Sequence, residues 1–279
     1  VHAMAFFARF TDALARLRRA PIQLTSTLLW NSYFLAPWLK NVPCPGFNCY
    51  SCPLAITACP IGTLQHFIII RRVPLYLLGV LGLIGTLFGR TACGWTCPFG
   101  FLQDLLYKVP LPKWRVSNRW APARYVIFAL LVVIIPFIAL EPWFCKLCPA
   151  GALEAGLPMI ALQADLRELT GLLFAVKMVI LALFLLWMMV TSRPFCRFVC
   201  PLGTIYGPFN RLSGMRLHFE ESRCQHCDLC WHVCPTGLYP PEEIDTAGCI
   251  RCMECLKACP HGALQSCATG TSCTERSHA

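Results

Sequence analysis

Twenty cysteines stand in a chain of 279 residues, and most fall into repeating patterns. Near the C-terminus Cys224-x2-Cys227-x2-Cys230-x3-Cys234-Pro235 is followed by Cys249-x2-Cys252-x2-Cys255-x3-Cys259-Pro260. Three thiols at steps of three residues can wrap one corner of a [4Fe–4S] cubane. In a tandem arrangement the fourth cysteine ligates the other cluster. The expected ligand sets are Cys224, Cys227, Cys230 and Cys259 for one cluster, and Cys249, Cys252, Cys255 and Cys234 for a second. Zinc would suit two isolated CxxC pairs and not this doubled four-cysteine run.

A second pattern, Cys-Pro-x-Gly, occurs six times: at Cys59, Cys97, Cys148, Cys200, Cys234 and Cys259. Proline suits the first position of a helix, where its missing N–H would be unpaired anyway. The cysteine before it then sits at a helix N-terminus, whose free N–H groups and dipole stabilise an anionic thiolate cluster. Cys93-x3-Cys97 and Cys196-x3-Cys200 supply four thiolates, enough for one cluster at the inner membrane surface. Cys145-x2-Cys148 and Cys44-x4-Cys49-x2-Cys52-x6-Cys59 lie on the opposite side, six cysteines for four positions. One assignment joins Cys145 and Cys148 to two loop cysteines, with Cys59 favoured by its Cys-Pro-x-Gly context. The other uses Cys44, Cys49, Cys52 and Cys59 and leaves Cys145 and Cys148 over. A leftover pair forms a disulfide if that side is oxidising. Cys267 and Cys273 lie in the Ser/Thr/Gly-rich stretch 266–279, have no partner pattern and read as tail cysteines.

These cysteines must be held by membrane elements. The chain is 56% hydrophobic and 14% charged, where a soluble domain carries about 25% charged residues. Four apolar runs are candidate spans: Ile22–Leu39, Pro74–Gly89, Tyr125–Leu140 and Leu172–Val190. Gly79, Gly82 and Gly85 in the second read as a helix-packing face. The formal net charge is +10, but the basic residues are scattered between apolar runs, which suits topology signals and argues against a nucleic-acid partner. Lys and Arg cluster before the first span, after the second and after the fourth, so both termini are expected in the cytoplasm. The fold class expected is a membrane all-α domain of about four helices with Cys-rich loops, followed by an α+β two-cluster ferredoxin domain. The expected units are a basic interfacial helix (1–20), a four-helix membrane domain (21–215), the ferredoxin domain (216–264) and a flexible tail (265–279).

Cys93-Gly94-Trp95-Thr96-Cys97-Pro98-Phe99-Gly100 and Phe195-Cys196-Arg197-Phe198-Val199-Cys200-Pro201-Leu202-Gly203, followed by the two-cluster ferredoxin, resemble the membrane polyferredoxins. That family includes the quinol-oxidising iron–sulfur membrane subunit of periplasmic nitrate reduction. The Cys44–Cys59 segment departs from the simpler nitrate-type pattern. The resemblance implies four spans, cytoplasmic clusters, and electron transfer between those clusters and a quinone pool or redox partner.

No GxSxG, Walker or GxGxxG motif is present, so the expected role is electron transfer through a chain of four [4Fe–4S] clusters. It would run between a cytoplasmic donor or acceptor and the membrane or an acceptor across it. Lipid and the other subunits of an inner-membrane redox complex are the expected partners. A quinol dehydrogenase in its own right is the alternative, with His66, Arg71, Arg72 and Glu141 as candidates for a quinone site. A metal-reducing assembly protein is a third reading, without a Met- or His-rich stretch to favour it. Arg211, Arg216, Arg223, Arg251 and Lys257 are placed to steer an acidic partner toward the head.

Overall fold

The computed structural model describes residues 10, 13–33, 35–40, 42–49, 51–163, 165–168 and 171–268. The longer helices are α1 (Arg19–Trp30), α2 (Pro60–Ile69), α3 (Leu75–Phe88) and α4 (Pro98–Leu106). They continue with α5 (Asn118–Ala139), α6 (Pro149–Leu162), α7 (Leu172–Val190) and the short α8 (Pro201–Tyr206). As the sequence predicts, α2, α4, α6 and α8 each begin at the proline of a Cys-Pro-x-Gly unit.

Two described helices are long and apolar enough to cross a bilayer, α5 with 22 residues and α7 with 19. At 1.5 Å per residue each is about 30 Å long. Within α5, Pro136 removes a backbone donor, and the wide π-type turn over Phe128–Ile134 precedes it. α3 and α6 are shorter apolar helices. The stretch expected as the first span, Ile22–Leu39, is broken. α1 ends at Trp30 after 12 residues, and helix resumes only for Ala36–Leu39. Between the two pieces Tyr33 takes a left-handed conformation (φ 61°) and gives its N–H to Leu54 O at 3.1 Å. Gln23 is buried and donates to Gly94 O (3.1 Å) and Asp104 Oδ2 (3.2 Å), which holds α1 against protein.

The head carries one antiparallel pair of strands, β1 (Met215–Phe219) and β2 (Leu264–Ala268), with Met215 opposite Ala268 and Phe219 opposite Leu264. The sheet therefore takes in residues expected to begin the flexible tail at 265. Cys267 is buried on β2 and disulfide-bonded, which corrects its reading as a tail cysteine without a partner. Cys273 and residues 1–9 and 11–12 of the expected interfacial helix (1–20) lie outside the described residues; of those described, Leu14 is buried against Met215 and Leu264 of the head.

The C-terminal head and the helices before it share one core. Ile250 and Cys252 of the head pack in the same buried cluster as Phe99, Phe195 and Leu202. Beneath that junction Arg193 is fully buried and donates through Nε to Asp104 Oδ1 (2.7 Å), while Arg19 reaches Asp104 Oδ2 at 2.8 Å. A buried ion left without its partner costs about 3–5 kcal/mol. Burial opposes ionisation of Asp104, but Arg193 and Arg19 outweigh it and hold the carboxyl below its ordinary value. A carboxyl depressed in the folded state contributes stability above the unfolded value of about 3.9 and loses it as pH falls through the folded value. Asp104→Asn is therefore expected to lower stability at pH 7 by about 3–5 kcal/mol in detergent unfolding experiments. The gap from the parent protein should narrow only below about pH 4.

Candidate metal centres

The structure draws eight of the cysteines that precede the head into two quartets. Cys93, Cys97, Cys196 and Cys200 are all buried and close enough for every pair to interact electrostatically. This is the inner set expected from the sequence. On the other side Cys49, Cys59, Cys145 and Cys148 are likewise mutually coupled and line one cavity. The geometry thus joins Cys145 and Cys148 to Cys49 and Cys59, and leaves Cys44 and Cys52 outside the quartet. Cys44 is buried beside Thr57, and Cys52 points its sulfur at Asn31 Oδ1 (3.8 Å).

The two quartets are built alike. Gly100, Gly151 and Gly203 direct backbone N–H groups at Cys97, Cys148 and Cys200 Sγ, each at 3.4 Å. Six residues after Cys59 and after Cys97 stands a fully buried glutamine. Gln65 Nε2 donates to Cys145 Sγ (3.1 Å), and its Oε1 accepts from Phe144 N (3.1 Å). Gln103 Nε2 donates to Cys196 Sγ (3.0 Å), and its Oε1 accepts from Phe195 N (3.2 Å). Each glutamine clamps the far half of its quartet and aims a donor at sulfur.

The charges differ. Arg90, Arg124 and Arg193 are buried around the inner quartet, with Arg193 Nη1 donating to Cys93 O (3.1 Å) and Arg90 Nη2 to Cys196 O (3.3 Å). Arg124 acts electrostatically on Cys200. The outer quartet has Lys177, acting on Cys49 and Cys145, and Glu154, whose Oε2 accepts from Cys49 N at 2.6 Å. The sequence reading missed these residues. Lys177 had a signal, as the one charge in an apolar run of 19 residues.

In the head, Cys224, Cys227, Cys230 and Cys259 line one cavity, and Cys234, Cys249, Cys252 and Cys255 another. The structure thus brings together the members of each set expected from the sequence. His226 and Asp228 in one loop, and Arg251 and Met253 in the other, have φ between 51° and 63°. Left-handed backbone at non-glycine residues is costly. It curls each loop into an anion-holding concavity of N–H groups. His226 N and Arg251 N point at Cys224 and Cys249 Sγ, both at 3.4 Å. Burial pushes the Cys249 thiol up to about 12, so this site holds a thiolate only with positive charge to match it. Among the described residues no three His, Cys, Asp or Glu side chains converge on a single ion. A cubane spreads its four sulfurs wider than one ion does, and four quartets ringed by N–H donors fit that group. When bound, a [4Fe–4S] cluster supplies one-electron storage.

Of the quinone candidates, only His66 lines the outer cavity. Arg71 lies over the Phe137 ring at 5.1 Å, Arg72 is exposed, and Glu141 pairs with Lys146 at 2.6 Å. Arg251, expected to steer partners, is buried against Asp245.

The 4Fe-4S binding domain family matches this chain over residues 72–117, 120–157 and 173–220, and a second family of the same description matches residues 242–265. The matched stretches hold the inner quartet, Cys145 and Cys148; Cys49 and Cys59 precede them. An uncharacterized protein of Methanocaldococcus jannaschii is 30% identical over 73% of this chain and 76% of its own length. The methylamine utilization ferredoxin-type protein MauN of Methylobacillus flagellatus is 30% identical over 53% of this chain and 48% of its own. The ferredoxin-type protein NapH of Escherichia coli is 24% identical over 61% of this chain and 59% of its own. No solved structure gives a significant match.

The quartets make a direct prediction for iron content. Cys145→Ser and Cys49→Ser should each remove about four irons per chain, one cubane's worth. Cys44→Ser and Cys52→Ser should remove none.

Proposed function

The chain belongs to the 4Fe-4S binding domain family of polyferredoxin-type electron-transport proteins, and on that premise we propose that it is a membrane electron-transfer subunit with four [4Fe–4S] centres in a row. Its chemistry is one-electron transfer. The observation that carries the fuller reading is the continuity of the four cysteine quartets.

Tunnelling falls steeply with distance, so a row works only where neighbours touch. The inner quartet abuts the head closely. A methyl group on Gly94 would lie 2.5 Å from Ile250 O, and Trp95 Nε1 donates to Arg251 O at 3.0 Å. Arg193 lies between the two, acting electrostatically on both Cys196 and Cys252. Within the head, Cys255 is coupled to Cys230 of the farther quartet. That farther quartet ends at Cys227, which is exposed. An exposed ligand at the end of the row suits exchange with a soluble donor or acceptor.

The other end lies beyond the two spans. The distribution of Lys and Arg supports a cytoplasmic head and an outer quartet facing the opposite side of the inner membrane. Lys113, on the head side, caps the ends of α4 and α7 by donating to Tyr107 O (2.6 Å) and Met189 O (2.8 Å). The remaining subunits of a redox complex would supply the terminal partners. One observation favours the second reading, a quinol dehydrogenase. The cavity at the outer quartet has a volume of about 730 Å³ and is lined by His66, Met159 and Lys177 besides the four cysteines.

Purification without oxygen followed by iron and acid-labile sulfide analysis tests the row. About 16 irons per chain are expected for four cubanes, and about 8 would leave the head alone loaded and end the proposal. Redox titration with a quinone analogue then separates the two readings. A line-shape change confined to the outer centre supports quinol oxidation at this chain, and no change supports a pure conduit.

A further inference from the structure

The outer and inner quartets face each other across one short strap of chain, residues 46–49, pinned at both ends. At the inner end Phe47 N donates to Cys97 Sγ at 3.3 Å. At the outer end Cys49 is itself a member of the outer quartet, and its N–H is held by Glu154 at 2.6 Å. Between them Asn48 is fully buried, with Nδ2 donating to Trp30 O at 3.4 Å. The strap passes so near the inner site that a methyl group on Gly46 would lie 2.9 Å from the Cys97 Cα. Only glycine permits that approach.

The Phe47 ring anchors the strap. It is 3% exposed and packs against three other rings: Phe195 at 5.4 Å, Phe99 at 6.3 Å and Phe144 at 6.4 Å between centroids. Each of these three lies one or two residues from a ligand: Phe99 follows Cys97, Phe144 precedes Cys145 and Phe195 precedes Cys196. The four rings fill the space between the quartets with close-packed apolar atoms. No water is needed there, and an apolar medium lowers the cost of reorganising it when charge moves.

We propose that the strap is the conduit between the outer and inner centres, with the Phe47 N–H joining it to Cys97 Sγ and the Phe47 ring as its positioning anchor. The inference rests on the four-centre reading above. The route has one hydrogen bond, from Cys97 Sγ to Phe47 N, and then backbone bonds to Cys49. One electron leaves one centre and arrives at the other. No bond is made or broken and no proton is taken up. The same N–H draws charge from the Cys97 sulfur, so it also raises the reduction potential of the inner centre.

The test uses the intact, anaerobically purified protein, in which iron analysis first confirms that the outer and inner centres are loaded. Absence of the outer irons would end the four-centre reading itself, separately from the strap. With both centres loaded and phenylalanine alone labelled with nitrogen-15, the reduced inner centre should show a nitrogen-15 hyperfine coupling that Phe47→Leu abolishes. Electron redistribution between the centres is followed by freeze-quench electron paramagnetic resonance in the parent and in Gly46→Ala. Gly46→Ala pushes the strap off Cys97 and should slow redistribution at least tenfold, with a downward shift of the inner potential and both signals retained. A missing nitrogen-15 coupling in the loaded parent, or Gly46→Ala that carries both centres and redistributes at the parent rate, overturns the proposal. If Gly46→Ala does not load, the coupling in the parent protein still decides.

Discussion

A thiolate cluster buried away from water is stable only where donors and cations replace the water it has lost. That constraint organises this molecule. Around the inner quartet it calls for Arg90, Arg124 and Arg193, all buried, together with Gln103 and the glycine N–H groups at the helix starts. These residues come from segments about 100 positions apart in sequence, so assembling one site brings α4, α5, α7 and α8 together. Asp104 completes the arrangement by pairing with Arg193, and with it secures α1 through Arg19 and Gln23.

The outer and inner sites solve the same problem with the same parts. Each joins the cysteine of one Cys-Pro-x-Gly unit to a second such unit and to its upstream partner. Each has a buried glutamine six residues beyond one of the prolines' cysteines, bonded to sulfur on one side and to a phenylalanine N–H on the other. The corresponding sixth position after the second unit differs: Glu154 at the outer site and Tyr206 at the inner. Glu154 holds Cys49 N, whereas Tyr206 is buried and interacts electrostatically with Cys93. Shared framework with unequal charge is how one scaffold gives two centres different reduction potentials. Three buried arginines against one lysine would favour an added electron at the inner site if both quartets hold clusters.

Much of this was legible in the residues. The tandem ferredoxin spacing assigned both head quartets, and the Cys-Pro-x-Gly units marked the starts of α2, α4, α6 and α8. The inner quartet followed from two CxxxCP pairs. The outer six cysteines could not be sorted from spacing, because which of them meet depends on how the loop from 42 to 59 folds back. Within that loop Cys44 N donates to Ala58 O at 2.8 Å, and the Cys44 thiol bonds with Thr57 and not with the quartet. The first expected span runs through the polar Gln23 and Asn31 and through Pro37, and its helix stops at Trp30 before resuming at Ala36. The tail cysteine Cys267 was misread because strand β2 is short and has no alternation to reveal it. The quinone candidates were polar groups close in sequence to the outer cysteines, which does not say which side chains line the cavity there; of the four, His66 does.

The central claim is that four cysteine quartets hold four clusters in an unbroken line. Electron cryo-microscopy of the anaerobically purified protein, within its membrane complex if one co-purifies, tests it most directly. The account predicts four cubane densities, ligated in order by Cys49, Cys59, Cys145 and Cys148; by Cys93, Cys97, Cys196 and Cys200; by Cys234, Cys249, Cys252 and Cys255; and by Cys224, Cys227, Cys230 and Cys259. A map with density at the head alone, or with Cys44 or Cys52 as an outer ligand in place of Cys145 or Cys148, would contradict it.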